Sequence, residues 1–136
     1  MKKSIKMIEG LDSFLTLNCV YGEVKISSEE ISIRVIRGLA IFDEKIREIF
    51  PDKSASEFGD CDLVFKNPRR LVIQVVPYIA MPDGSPNWFE KKVQDYSWEK
   101  TGDFVVYGVE GTLNFPSYCP AFVDIECDAE FCELHV

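Results

Sequence analysis

The sequence predicts an α+β fold, a single domain dominated by an antiparallel β-sheet with one short helix. The main observation is an alternation in 121–131, where apolar residues take the odd positions and Asp124, Glu126, Asp128 and Glu130 the even ones. A period of two is typical of a β-strand, because successive side chains point to opposite faces of a sheet. The same period recurs along most of the chain, and 136 residues are enough for one domain with a sizeable core.

The chain begins with an ambiguous segment and two predicted strands. Over 4–11 a loose helical spacing of apolar residues is interrupted by Gly10. Residues 14–20 alternate and include β-branched and aromatic side chains, which favours a strand. Gly22 permits a bend, after which the alternation resumes over 23–27 as a second strand.

The segment 31–36 fits both a strand and a helix. Its apolar residues alternate, but they also start a helical spacing that continues into the next segment. Four β-branched residues in six favour the strand, and Gly38 would interrupt a helix. We therefore predict a strand over 31–36 and then the helix, over 43–50, which Asp43 caps and Pro51 ends.

The second half contains four further predicted strands: 61–66, 71–76, 103–114 and 121–135. Residues 71–76 are apolar on both faces apart from Gln74, so we place this strand inside the sheet, with Pro77 ending its pairing. The last strand slips by one residue near Phe131, which predicts a β-bulge and a bend. Residues 88–100 mix aromatic and charged side chains and form either a short helix or an irregular loop.

The inward positions of these strands predict the core, because residues two apart in a strand share a face. We expect the following side chains to be buried: Leu63, Phe65, Leu71, Ile73, Val75, Val105, Tyr107, Val109, Val123, Ile125 and Phe131. Truncating Ile73 or Ile125 to Ala should then cost about 2–5 kcal/mol.

The negative charge is concentrated at the C-terminal end. The chain has 23 acidic and 15 basic side chains, for a net charge of −8. Residues 101–136 contain seven of the acidic and none of the basic side chains, so this segment alone carries −7. Such asymmetry argues against nucleic-acid binding there and for a basic partner or a cation, although a solvated outer sheet face explains it as well.

Groups that could catalyse a reaction or hold a metal are sparse. The five cysteines are odd in number and lack Cys-x-x-Cys spacing, which indicates reduced thiols rather than disulfides or zinc ligands. The single histidine, His135, is the penultimate residue, where a catalytic base is difficult to hold in place. No glycine-rich phosphate loop is present. We therefore expect no catalytic residue, no metal and no cofactor.

The N-terminus is basic but lacks the apolar core of a signal peptide, and no apolar run is long enough to span a membrane. These observations predict a cytoplasmic protein without a membrane contact.

The carboxylates of Asp124, Glu126, Asp128 and Glu130, here called the carboxylate row, are the densest constellation in the chain. Neighbours on one strand face lie about 6.7 Å apart, too far to share one small cation through single oxygens. That spacing is close to the separation of acid and base in inverting glycosidases. The row therefore predicts a partner-binding face, a plain solvated face, or a hydrolase site. A further alternative is that the row imitates the charge of nucleic acid, but this would need a second acidic element beside it.

A protein partner would also need apolar anchors. Three aromatic side chains near the turn-rich region or on the last strand are our candidates: Phe122, Trp88 and Trp98. For the tryptophans the alternative is packing over the edge of the core.

The C-terminal half also contains a recognisable order of motifs. These are 109–113 (VEGTL), Pro116, 123–125 (VDI) and 131–134 (FCEL). They resemble the ending of small bacterial proteins from polymorphic-toxin loci, in which such a strand pair closes an antiparallel sheet, and the preceding hairpin of 62–65 and 71–73 is similar too. The resemblance covers about half of the chain. It implies a cytoplasmic immunity-type protein that neutralises a toxin by binding it, and it transfers no catalytic residue.

Together, these patterns predict a non-enzymatic protein-binding module that presents an acidic sheet face to a basic protein, expected to be a nuclease-type toxin domain. The alternatives are a carboxylate-dependent hydrolase and a structural or self-associating subunit. The hydrolase requires a concave site with a partly buried carboxylate. The self-associating subunit requires a large apolar patch near the two tryptophans.

Overall fold

The structure, a computed structural model, describes residues 4–7, 14–16, 19–41, 60–113 and 121–135. These ranges contain twelve β-strands and no helix. The first six strands are Ser4–Met7 (β1), Phe14–Leu15 (β2), Val20–Ile26 (β3), Glu30–Arg37 (β4), Ala40–Ile41 (β5) and Cys61–Lys66 (β6). The last six are Arg70–Ala80 (β7), Pro86–Trp88 (β8), Lys92–Ser97 (β9), Val105–Leu113 (β10), Ala121–Ala129 (β11) and Phe131–His135 (β12).

Ten of these strands form one sheet in the order β1-β12-β6-β4-β3-β10-β11-β7-β8, with β9 pairing to β7 beside β8. β2 and β5 form a separate two-stranded sheet. The paired strands run antiparallel except β3 and β10, which are parallel where Val20 and Tyr21 pair with Thr112 and Leu113. The sheet is therefore mixed, although most of its pairs are antiparallel as expected.

The C-terminal strands close this sheet into a ring. Only Glu130 lies between β11 and β12, yet β11 pairs with β10 and β12 pairs with β6. Because β4 and β3 lie between β6 and β10, the sheet has to curl until β6 comes beside the start of β12. The rings of Phe65 on β6 and Tyr107 on β10 meet across the enclosed space, with their centroids 5.4 Å apart.

The core fills the inside of this ring. Eight of the eleven side chains expected there are buried: Leu63, Phe65, Leu71, Ile73, Tyr107, Val109, Val123 and Ile125. Val75, Val105 and Phe131 are only half-buried. The strands β3 and β4 add further fully buried side chains, among them Tyr21, Ile31, Ile33 and Val35. Since burial of large apolar side chains is the dominant stabilising contribution, these inward positions hold the ring together.

The α+β expectation is wrong, because the part of the chain that the structure describes is all-β. The helix predicted over 43–50 lies outside the described residues. The short helix or loop expected over 88–100 is also corrected: this segment contributes the end of β8 and the whole of β9. A period of two is hard to recognise in β9, because Tyr96 is half-buried and all its other side chains are exposed.

The strand predicted over 31–36 is confirmed by β4, so β-branching outweighed the helical spacing. The two N-terminal strands are less accurate. Of the segment 14–20, the structure shows β2 at Phe14–Leu15 and the first residue of β3, and β3 does not end before Gly22 but continues through it. The bend expected at Gly22 is present as a β-bulge, because the register of β3 against β4 shifts between Tyr21 and Val24.

A long hairpin extends from the edge of the sheet. β7 does not end at Pro77 as expected but continues to Ala80, and the Pro77 carbonyl accepts a hydrogen bond from the Phe89 N–H at 2.8 Å. Tyr78 pairs with Trp88, whereas three residues earlier Val75 pairs with Lys92. The returning strand therefore contains one extra residue, which is a β-bulge. β7 lies inside the sheet as predicted, between β11 and the β8–β9 segment.

The bend predicted near Phe131 is present at Glu130. Ala129 is the last inward residue of β11, and Cys132 and Leu134 are the inward residues of β12. The Glu130 N–H donates to the Lys66 carbonyl at 3.0 Å, which pins the extra residue to β6. This bend allows one continuous stretch of chain to pair with two different parts of the sheet.

Candidate functional site

The outer face of β11 places the carboxylate row as the alternation predicts. Asp124, Glu126 and Glu130 are exposed, and Asp128 is half-buried. On the neighbouring strand β10, Glu110 lies directly opposite Asp124. A second acidic residue therefore stands beside the row, on an open face of the sheet.

The two ends of the carboxylate row differ in their partners. The Asp128 carboxylate is 3.0 Å from the Arg69 guanidinium, and its side chain is only 17% exposed. The Glu130 carboxylate accepts a hydrogen bond from the Asn67 side-chain amide at 3.1 Å. Within the fold, Asp128 is therefore ion-paired and Glu130 is hydrogen-bonded. Their contacts connect the β6–β7 turn to the end of β11.

Among the described residues, the other end of the row has no such direct contact, although the charges of Arg70 and Glu126 attract each other at longer range. Gln74 lies opposite Asp124 on β7, and Val72 lies opposite Glu126. Among the residues that the structure describes, no Lys or Arg forms an ion pair with Asp124, Glu126 or Glu110. Like charges directly opposite each other on adjacent strands are unfavourable. This end of the row is therefore a surface that an added cation would stabilise.

Arg70, which lines a hollow together with Asp124 and Glu126, forms its ion pair with a carboxylate on β9. Its guanidinium lies 2.9 Å from the Asp95 carboxylate on β9 and donates to it through two nitrogens. The hydrogen bond to Asp95 raises the pKa of Arg70, and Arg70 in turn lowers the pKa of Asp95. The pair bounds the acidic region on the β9 side. Both side chains are exposed, so this ion pair contributes little to stability.

Three aromatic rings meet at the other end of the outer face, and we call them the aromatic cluster. The ring centroids of Tyr78 and Trp88 are 5.1 Å apart, and each lies 5.4 Å from that of Phe122. Trp88 is 48% and Phe122 46% exposed. Tyr78 and Trp88 are brought together as opposite residues of the β7–β8 hairpin, and Phe122 lies beside them because it pairs with Val76.

The structure thus unites two of the three aromatic anchors and separates the third. Phe122 and Trp88 share the outer face with Asp124, whereas Trp98 packs against the core on the other side, with its ring stacked on Tyr96 at 6.4 Å. Sequence reasoning missed Tyr78. The signal for Tyr78 is the alternation of side chains, which continues beyond Pro77, the residue that the sequence predicts as the end of pairing.

Two shallow hollows flank the exposed carboxylates. One, of about 210 Å³, is lined by Arg70, Val72, Gln74, Asp124 and Glu126. The other, of about 350 Å³, adjoins the aromatic cluster and includes Glu110, Phe122 and Asp124, with Lys91 at its edge. Both open onto the sheet surface, and their carboxylates are exposed. This arrangement suits contact with a partner's side chain better than the enclosed site that a hydrolase requires.

Within the described ranges, no three His, Cys, Asp or Glu side chains are placed to share a metal ion. His135 lies at the end of β12, beyond the last carboxylate of the row, and its Nε2 is 3.4 Å from the Glu133 carboxylate. The side chains of four described cysteines are buried: Cys19, Cys61, Cys127 and Cys132. Burial raises the pKa of Cys127 to about 12, so its reactive thiolate form is scarce.

Comparison with protein-family models, with curated proteins and with solved structures finds no match for this chain. In the part of the chain that the structure describes, no helix has the length and apolar character needed to cross a membrane.

Proposed function

We propose that this protein is a binding module whose outer face docks a basic protein. The docking face consists of the aromatic cluster (Tyr78, Trp88 and Phe122) and the exposed carboxylates of Glu110, Asp124 and Glu126. The observation that carries the proposal is their adjacency: exposed aromatic rings border carboxylates without ion partners in the described residues. Aromatic anchors beside a region of one charge sign are typical of protein interfaces.

The two components of the docking face have different roles. The carboxylates would attract a basic surface and speed up its association, an effect that weakens as salt is added. The aromatic cluster would supply affinity, because Trp and Tyr are frequent hot spots. Half-exposed Trp88 and Phe122 offer together about 200 Å² of aromatic surface, whereas a standard interface buries about 800 Å² per partner. The contact would therefore extend over neighbouring parts of β10 and β7.

The resemblance of the C-terminal motifs to immunity-type proteins suggests the class of partner. A toxin domain that acts on nucleic acid has to be basic where it holds phosphate. The docking face carries the opposite charge, and Glu110 provides the second acidic element beside the row. We therefore propose that the partner is a nuclease-type toxin domain and that the protein neutralises it in the cytoplasm by covering its basic site.

The first test is the gene next to this one. We expect it to encode a secreted toxin whose C-terminal domain is basic. With that domain as the purified partner, Asp124→Lys combined with Glu126→Lys should slow association at least tenfold at low salt and flatten its salt dependence. The matched control is Glu29→Lys with Glu99→Lys, which changes the net charge equally at exposed sites away from the docking face.

The apolar component is tested separately. Trp88→Ala should speed dissociation at least tenfold while leaving the association rate nearly unchanged, as truncation of a hot spot does. If both charge-reversal pairs slow association equally, the effect is one of net charge and the docking face is plain solvated surface. If sedimentation at two concentrations shows a dimer that Trp88→Ala abolishes, the aromatic cluster belongs to self-association instead.

A further inference from the structure

The inner face of the sheet carries an apolar groove that is separate from the docking face. Its volume is about 770 Å³. Side chains of β3, β7, β10 and β11 form its floor, including Val24, Ile26, Ile73, Val75, Val123 and Ile125. Binding sites for small molecules have volumes of about 300–1,000 Å³ and are mostly apolar, with few polar groups that fix the orientation of the ligand. The groove matches that description in both size and lining.

The floor of the groove is only partly covered by the protein itself. Val123 and Ile125 are buried, but Val24, Ile26 and Val75 remain half-exposed although they pack against the core cluster. Apolar surface of this kind gains free energy when a hydrocarbon chain replaces water over it. A ligand that fits the floor is therefore apolar over most of its length.

Among the described residues, the polar side chains that line the groove all lie on one side of it. Lys92 and Gln94 belong to the edge strand β9, where they pair with Val75 and Ile73 of the floor. Being two residues apart in a strand, they point to the same face, about 6.7 Å from each other. No described Asp or Glu forms an ion pair with Lys92. The Lys92 ammonium and the Gln94 side-chain amide therefore lie next to each other along one edge of the groove.

The third polar residue, Glu90, limits where an anion can lie. It precedes Lys92 at the bulge and lines the groove at that end, next to Phe89. A negative ligand group is repelled by Glu90 and attracted by Lys92. Its favourable position is therefore on the Gln94 side of Lys92, where the amide N–H can donate a second hydrogen bond.

We propose that this groove binds a single-chain carboxylate, a fatty acid, with its chain on the apolar floor and its carboxylate held by Lys92 and Gln94. The acid gains from both parts of the site, since its chain buries apolar surface and its head group accepts charge-assisted hydrogen bonds. The groove and the docking face lie on opposite faces of β11, so this proposal does not depend on the proposed function.

The binding test uses calorimetry on the full chain with octanoate, decanoate and dodecanoate, each below its micelle concentration, and with methyl dodecanoate. Each added methylene should tighten Kd about threefold to fourfold. The ester should bind at least about tenfold more weakly than the acid, because it cannot form the charged contact. Absence of saturable dodecanoate binding would overturn the proposal, and equal binding of acid and ester would overturn the role of Lys92.

Variants locate the site. Lys92→Met should abolish the preference for acid over ester. The matched control is Lys91→Met, which removes the same charge one residue away, where the side chain lines a hollow on the outer face. Equal effects of the two variants would show that only overall charge matters.

Filling the groove provides the independent check. Ala121→Phe places a ring over the floor and should weaken dodecanoate binding at least tenfold, with near-ultraviolet circular dichroism to show that the fold is kept. Val75→Phe, at a half-exposed floor position, serves the same purpose if the first variant does not fold. Unchanged binding in a folded filled variant would place the acid elsewhere.

Discussion

Truncation of Ile125 to Ala tests the face assignment on which the fold and the site both depend. Ile125 is 1% exposed and lies at the centre of β11, between Val109 on β10 and Ile73 on β7. The change removes three carbons, worth about 0.8 kcal/mol each in transfer free energy, or about 2.4 kcal/mol in total. Incomplete collapse of the cavity adds to this, so we expect a loss of about 3 kcal/mol. Urea denaturation should show a midpoint lower by about 1–3 M.

The matched control lies on the same strand but on the opposite face. Phe122→Ala removes a larger side chain, yet Phe122 is 46% exposed and its main contacts are the rings of Tyr78 and Trp88. We expect it to cost about 1 kcal/mol, since aromatic pairs contribute about 0.5–1.5 kcal/mol. A loss below about 1 kcal/mol for Ile125→Ala, or a larger loss for Phe122→Ala, would refute the assignment of inner and outer faces.

Two further predictions concern the core. Gly111→Ala should cost about 1–3 kcal/mol, because the added Cβ would overlap the Cys19 carbonyl and the Tyr21 ring, whereas Gly108→Ala, with open space around it, should change the unfolding free energy by less than about 0.5 kcal/mol. Equal urea midpoints for the two variants would contradict the close packing of β3 on β10. Burial raises the pKa of Cys19 to about 11 and of Cys127 to about 12 from 9.0, so the unfolded chain loses these protons first as pH rises. The free energy of unfolding should not depend on these thiols below pH 9 and should fall between pH 9 and 12. A urea midpoint that stays constant over that interval would contradict the burial of the two thiols.

Elements with a strong local signal could be predicted from the sequence. β11 alternates so regularly that its inner and outer faces, its bend and its antiparallel pairing with β10 all follow from residue types and a short connection. β4 could be predicted as well, because Ile31, Ile33 and Val35 are β-branched and have a common inward face.

Pairing between distant segments could not be predicted in this way. The parallel contact of β3 with β10 joins residues about ninety positions apart and leaves no local pattern. β9 has mostly exposed side chains on both faces, so neither face marks it as a strand. The aromatic cluster depends on the register of the β7–β8 hairpin, which places Tyr78 opposite Trp88 and leaves Trp98 on the inner face. The turn and the bulge determine this register, so the aromatic residues alone do not predict which of them meet.

The two proposed surfaces depend on one register of β11. Its odd residues, such as Val123, line the core and the groove, and its even residues form part of the docking face. A shift of one residue would place Asp124 and Glu126 inside, where unpaired carboxylates are very costly, and would expose Ile125. Because of that cost, β11 keeps a single register against both β10 and β7. The bend at Glu130 confines the shift in the inward–outward alternation to β12. Substitutions of even residues can therefore change partner binding without altering the groove, and substitutions that only fill the groove leave the charge pattern of the docking face intact.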